Sequence, residues 1–133
     1  MRTWLIAIAA LALQGCAAGP PAFAPAGNGA GYRDIVKTRD QYRVVYNGDA
    51  RTTPRQAADM AELRAAQLCA AGAYDYYRVT DSGGHTEARS GGPSEDAYVE
   101  VVCVKDYAPG LKRTAQTIEQ TSAQYGIYLK PSA

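Results

Sequence analysis

Thr53-Pro54-Arg55-Gln56 fixes the start of a helix, and that helix constrains everything around it. Thr53 can cap, Pro54 suits the first helical position, and Gln56 stands where a capping box takes Glu or Gln. The helix is expected to run to about Ala71 and to stop at Gly72. On a helical wheel Met60, Ala71, Ala57, Leu68, Ala61, Ala65, Ala58 and Cys69 fill about half the circumference. Asp59, Glu62, Arg55, Gln56 and Gln67 occupy the other half, and Arg64 falls inside the apolar arc. So many alanines let the helix lie close to a sheet.

The sheet is written on either side of it. Residues 41–47 alternate, with Tyr42, Val44 and Tyr46 on one side, and Asn47-Gly48-Asp49 ends the run with turn chemistry. Residues 74–80 and 97–105 read as two further strands, the latter with Val99, Val101 and Cys103 on one face. Residues 81–96 between them are polar and glycine-rich, and read as a long mobile hairpin loop. After Pro109-Gly110, a thinner stripe of Leu111, Ala115, Ile118, Ser122 and Tyr125 suggests a second helix ending at Gly126. The expected fold is α+β: a small β-α-β-β domain over residues 40–106, one helix packed on three or four strands, with a C-terminal helix and tail over 107–133.

Fourteen Lys and Arg against thirteen Asp and Glu leave a formal charge of +1. That balance argues against a nucleic-acid binder and against a polybasic membrane patch, both of which need a basic surplus. No repeat suggests a solenoid.

The N-terminus supplies an address. Arg2 precedes an apolar run, Trp4 to Leu13, of about ten residues, which is the length of a signal-peptide core and too short for a span. Leu13-Gln14-Gly15-Cys16 then resembles a bacterial lipobox, with Gln14 a less usual middle residue. The resemblance implies cleavage before Cys16, a diacylglycerol on its thiol and a further acyl chain on its amine. Two or three chains hold a protein firmly on a bilayer. Ala17, which is not Asp, points to the outer membrane, with the domain facing the periplasm. The competing reading is a plain secretory signal with an incidental cysteine. On this resemblance residues 1–15 are expected to be the signal peptide. Residues 16–39 are the lipidated end and an Ala/Pro/Gly tether, partly stiffened by Pro20, Pro21 and Pro25.

With Cys16 lipidated, Cys69 and Cys103 remain for the oxidising compartment. If the strand face carrying Cys103 meets the helix, they can bridge; the alternative is two buried free thiols. Two cysteines and one histidine at no recognisable spacing do not make a zinc site.

The segments Tyr42-Arg43-Val44-Val45-Tyr46-Asn47-Gly48, Arg64-Ala65-Ala66-Gln67-Leu68 and Gly72-Ala73-Tyr74-Asp75-Tyr76-Tyr77 together resemble a family of small, functionally uncharacterised bacterial envelope lipoproteins. In that family a YxVxYxG strand leads to an RAAEL helix and a GYDYF strand. The chain departs from it in Gln67, in the extra Ala73 and in its two body cysteines. The resemblance implies location and fold, and carries no activity. A looser likeness, at the level of fold, is to disulfide-stapled outer-membrane lipoproteins that sense stress.

Little in the body reads as catalytic. His85, the only histidine, has Ser82 and Glu87 nearby but sits in the expected loop, which cannot preorganise a dyad. Glu95, Asp96 and Glu100 do not suggest a hydrolytic carboxylate pair. Arg64 on its apolar arc must snorkel, pair with a carboxylate such as Asp75 or Glu100, or meet an anionic ligand. Tyr42, Tyr46, Tyr74, Tyr76, Tyr77 and Tyr98 all fall on expected strands; an outward set including Tyr76 and Tyr98 could grip a glycan or a protein, although strands favour tyrosine anyway. No catalytic residue, cofactor or metal is assigned. The reading is a non-enzymatic, membrane-anchored module for an envelope protein or cell-wall component. The alternatives are an envelope-stress sensor and a small cell-wall-processing accessory or enzyme.

Overall fold

The computed structural model describes residues 21–129. The chain order is β1 (Gly31–Thr38), β2 (Gln41–Asn47), α1 (Pro54–Ala71), β3 (Tyr76–Arg89), β4 (Gly92–Val104), β5 (Lys112–Arg113) and α2 (Thr114–Tyr125). The strands form one antiparallel sheet in the order β1-β2-β4-β3-β5. This is the expected α+β class, with five strands rather than three or four. No helix among the described residues is long and apolar enough to cross a membrane.

α1 starts where its cap places it. Thr53 Oγ1 accepts from the Gln56 N–H at 3.1 Å, and Gln56 Oε1 accepts from the Thr53 N–H at 2.9 Å. The helix buries Ala57, Met60, Ala61, Leu63, Ala65, Ala66 and Cys69. Ala58 and Ala71, both on the expected apolar arc, are exposed. The buried set is shifted toward the Asp59 and Glu62 side because α2 covers α1 there in addition to the sheet. α2 docks through Tyr125, whose hydroxyl donates to Asp59, and through Thr117, whose hydroxyl meets that of Tyr77 at 2.6 Å. Leu63 and Ala66 lie on that Asp59 and Glu62 side of the helix, so they are sealed as well.

The helix-facing side of the sheet supplies Val44, Tyr46, Tyr77, Ala97, Val99, Val101 and Cys103. Cys103 and Cys69 form a disulfide, with Cα atoms 5.4 Å apart, and tie the last turn of α1 to β4. Tyr77 is fully buried with its hydroxyl on Glu62 at 2.7 Å, and burial is the main reason its pKa rises. Burial, with help from Asp49, pushes Tyr46 up to about 12.

Two expectations are corrected. The tether was expected to extend to residue 39, yet residues 31–38 are strand β1 and the segment before it already folds against the domain. The Tyr46 hydroxyl donates to the Ala22 carbonyl at 2.6 Å, Phe23 packs at a tilt against Tyr32 with centroids 5.1 Å apart, and the Ala26 N–H donates to the Tyr32 carbonyl at 2.8 Å. The expected loop over residues 81–96 is instead the outer half of a long hairpin, paired from Asp81↔Glu100 to Arg89↔Gly92. Pairing with β4 extends β3 through a segment with no apolar alternation of its own. Gly72 ends α1 as expected, at an ordinary φ of −84°, and a left-handed residue follows it, Ala73 at φ 63°.

Candidate functional site

The outer half of the hairpin carries a long exposed surface. β5 pairs with β3 only at Tyr76 and Tyr77. From Arg78 to Arg89, β3 is therefore an edge strand among the described residues, and residues 80–89 are exposed throughout. Such an edge presents a row of backbone N–H and C=O groups that can pair with another chain. At Gly83 a side chain has no room, since a Cβ there would stand 2.6 Å from a ring carbon of Tyr98.

Beneath this edge lies a groove of about 540 Å³. Pro54, Ala58 and Glu62 of α1 form one wall with Lys112, and Ser82, Gly84 and Thr86 of β3 form the other. Ala97 and Val99 of β4 make part of its lining. Lys112 Nζ meets Glu62 at 2.6 Å. The groove thus joins an apolar floor to a charged rim and an open strand edge.

The opposite edge, β1, is covered only at its start, where residues 24–26 bridge it and Tyr32 pairs to Pro25. It carries Arg33, Asp34 and Lys37 and exposes Ile35 and Val36.

The sheet face turned away from α1 carries charge pairs. The Arg43 guanidinium lies 4.1 Å from the Tyr98 ring centroid and donates to Glu100 at 3.0 Å. Lys37 reaches the same carboxylate at 3.3 Å. The hydrogen bond from Arg43, followed by that from Lys37, lowers the Glu100 pKa. Toward the hairpin tip, Arg89 donates to both carboxylate oxygens of Asp96, at 2.9 and 2.8 Å, and also to Ser94 Oγ. Asp96 is only 5% exposed and accepts from the Gly48 N–H as well. His85 Nε2 stands 3.0 Å from Glu87 and 3.7 Å from Asp96. These three side chains bring one potential metal-ligand atom each to within 4.8 Å of one another.

Residues singled out from sequence fall in separate places. Cys16 lies outside the described residues. Arg64 pairs with neither Asp75 nor Glu100; it grips Asp34 of β1 through Nη2 at 2.7 Å and Nε at 3.0 Å, with Tyr32 beneath the guanidinium at 4.3 Å. This hydrogen-bonded pairing raises the Arg64 pKa and engages the charge structurally. Tyr76 and Tyr98 share the outer face by register but not a site, because Tyr76 stands opposite Val104, six residues along β4 from Tyr98. Tyr76 packs edge-on against Tyr107, at 5.7 Å. Sequence reasoning missed the role of Arg89 and the convergence of His85, Glu87 and Asp96. The spacing of His85, Glu87 and Arg89 by two was a signal available once residues 81–89 were read as a strand.

No family model, curated protein or solved structure matches the chain.

Proposed function

We propose that the chain is an outer-membrane lipoprotein whose small periplasmic domain is a non-catalytic module that docks an extended segment of another envelope protein. The open β3 edge above its groove carries this reading. Strand addition draws affinity from the backbone of an exposed edge and specificity from pockets for alternate side chains. Residues 78–89 offer the first, and the groove beside Ser82, Gly84 and Thr86 offers the second.

The lipobox-like Leu13-Gln14-Gly15-Cys16 supports the anchor. Ala22 is already bound to Tyr46, so a lipidated Cys16 would be joined to the folded body by residues 17–21 alone. However that short segment is arranged, its reach is at most about 20 Å. The module would therefore work close to the bilayer surface.

Two measurements test the proposal. Inhibiting the lipoprotein signal peptidase in cells should accumulate the precursor; an unchanged mature mass removes the anchor. A photo-cross-linking residue at Thr86 should trap one defined peptide of an envelope partner, and a Ser82→Lys substitution should abolish the product while leaving the thermal midpoint nearly unchanged. A cross-link that survives Ser82→Lys, or that forms equally from Lys37 on the far edge, would remove the docking site.

A further inference from the structure

We propose that His85, Glu87 and Asp96 form a binding site for a borderline divalent cation of the zinc class. By strand alternation the three side chains project from the face turned away from α1, while the backbone of His85 and Asp96 borders the groove; the inference rests on their side chains and does not depend on strand docking.

Strand geometry makes the juxtaposition. Side chains two apart on a strand share a face, so His85 and Glu87 project together. The register sets Asp96 directly across from His85. Nε2 of His85 lies 3.0 Å from Oε2 of Glu87 and 3.7 Å from Oδ2 of Asp96. Two ligand atoms each about 2.1 Å from one metal would show these separations at bond angles of roughly 90° and 125°. All three ligand atoms fall within 4.8 Å, so a small closure suffices.

The donor set argues for the ion. One imidazole nitrogen with two carboxylates suits zinc and its neighbours better than magnesium or calcium, which take oxygen alone. Asp96 is already oriented as a ligand should be. Its Oδ1 accepts from the Gly48 N–H and Arg89, which fixes the carboxylate before a metal arrives, and its Oδ2, the atom facing His85, also accepts from Arg89 at 2.8 Å, so a metal would share that oxygen with the guanidinium. His85 and Glu87 are 60% and 49% exposed, which leaves coordination positions open to water or to a ligand from a partner. The nearby Arg89 charge opposes a cation, so the expected affinity is micromolar rather than nanomolar.

The test uses the full untagged chain with its disulfide intact and Cys16→Ser, so that no free thiol or tag competes. His85 is the only histidine, and its ring resonances are therefore unambiguous. Equimolar Zn(II) should shift them in a saturable one-to-one titration, and Mg(II) should leave them in place. Glu87→Gln should weaken Zn(II) binding at least tenfold, as should His85→Gln when binding is followed by calorimetry. Both residues are exposed, and neither substitution should disturb folding. Ring signals unmoved by a tenfold excess of Zn(II), or Glu87→Gln binding as well as the parent chain, would overturn the site and leave a lone surface histidine.

Discussion

The β3–β4 hairpin is held by apolar packing in one half and by charge in the other. At its base, Tyr77, Val99, Val101 and Cys103 are buried in the core, and the Cys69–Cys103 bridge fastens β4 to α1. Toward its tip the side chains that are buried are polar: Ser94 at 2% exposure and Asp96 at 5%. Arg89 covers both, and Gly48 at the end of β2 closes the network from the side. Apolar burial is tolerant of direction, whereas a buried carboxylate costs free energy unless its partners are all in place. The base can therefore lose a methyl group and adjust, while the tip depends on single hydrogen bonds. The surfaces available for binding follow the same division, since the covered base leaves little exposed and the overhanging tip leaves an edge and a face free.

The largest effect is expected at the base. Cys69 and Cys103 are 34 residues apart in sequence, and closing a loop of that size stabilises by about 3–4 kcal/mol in the chain-entropy model. Denaturant unfolding with and without reductant should show a drop of that order, matched by a Cys69→Ala, Cys103→Ala double variant. Equal midpoints would mean that apolar packing alone carries the base.

At the tip the expectation is an asymmetry. Arg89→Ala leaves the Asp96 charge buried with the Gly48 N–H as its remaining close donor, and should cost about 2–3 kcal/mol. Asp96→Asn keeps an acceptor for both Arg89 and Gly48, and Arg89, 38% exposed, can turn to water; the cost should be no more than about 1 kcal/mol. Equal losses in the two variants would show that the tip is held by shape rather than by charge.

The division between base and tip also decided what could be read from sequence. α1 was legible to the residue because its capping box and Pro54 are local signals that tertiary packing had no reason to override. The alternation of Val99, Val101 and Cys103 marks a strand with one face in a core. Asp81 to Arg89 carries no such alternation, because both of its faces look away from apolar packing, and its strand state is dictated by hydrogen bonding to β4. β1 was hidden for a related reason. Its helix-facing row includes Asp34, paired with Arg64, so polarity that reads as loop is satisfied across the fold. The partner of Arg64 could not be named without β1, and the cross-strand approach of Asp96 to His85 exists only in the register. Candidate binding residues are thus the least visible part of the sequence here, because they occupy positions that burial does not pattern.

The smallest effect sits where α1 hands over to the base. Ala73 adopts φ 63°, while its N–H donates to the Ala70 carbonyl and the Tyr74 N–H to that of Cys69, both at 3.0 Å. Glycine is favoured in this left-handed position because a Cβ crowds the backbone. Gly72 cannot simply trade places with it, since a Cβ at Gly72 would lie 3.0 Å from the Tyr74 ring. Ala73→Gly should therefore stabilise the domain by about 0.5–1 kcal/mol, relief of the left-handed strain outweighing the entropy that glycine adds to the unfolded chain. The turn begins four residues beyond Cys69, so comparing the variant with its parent in oxidised and reduced forms separates two origins of the strain. An equal gain in both forms places the cause in the local hydrogen bonds that end the helix. A gain confined to the oxidised form means that the bridge, by fixing the last turn of α1 against β4, forces alanine into the turn.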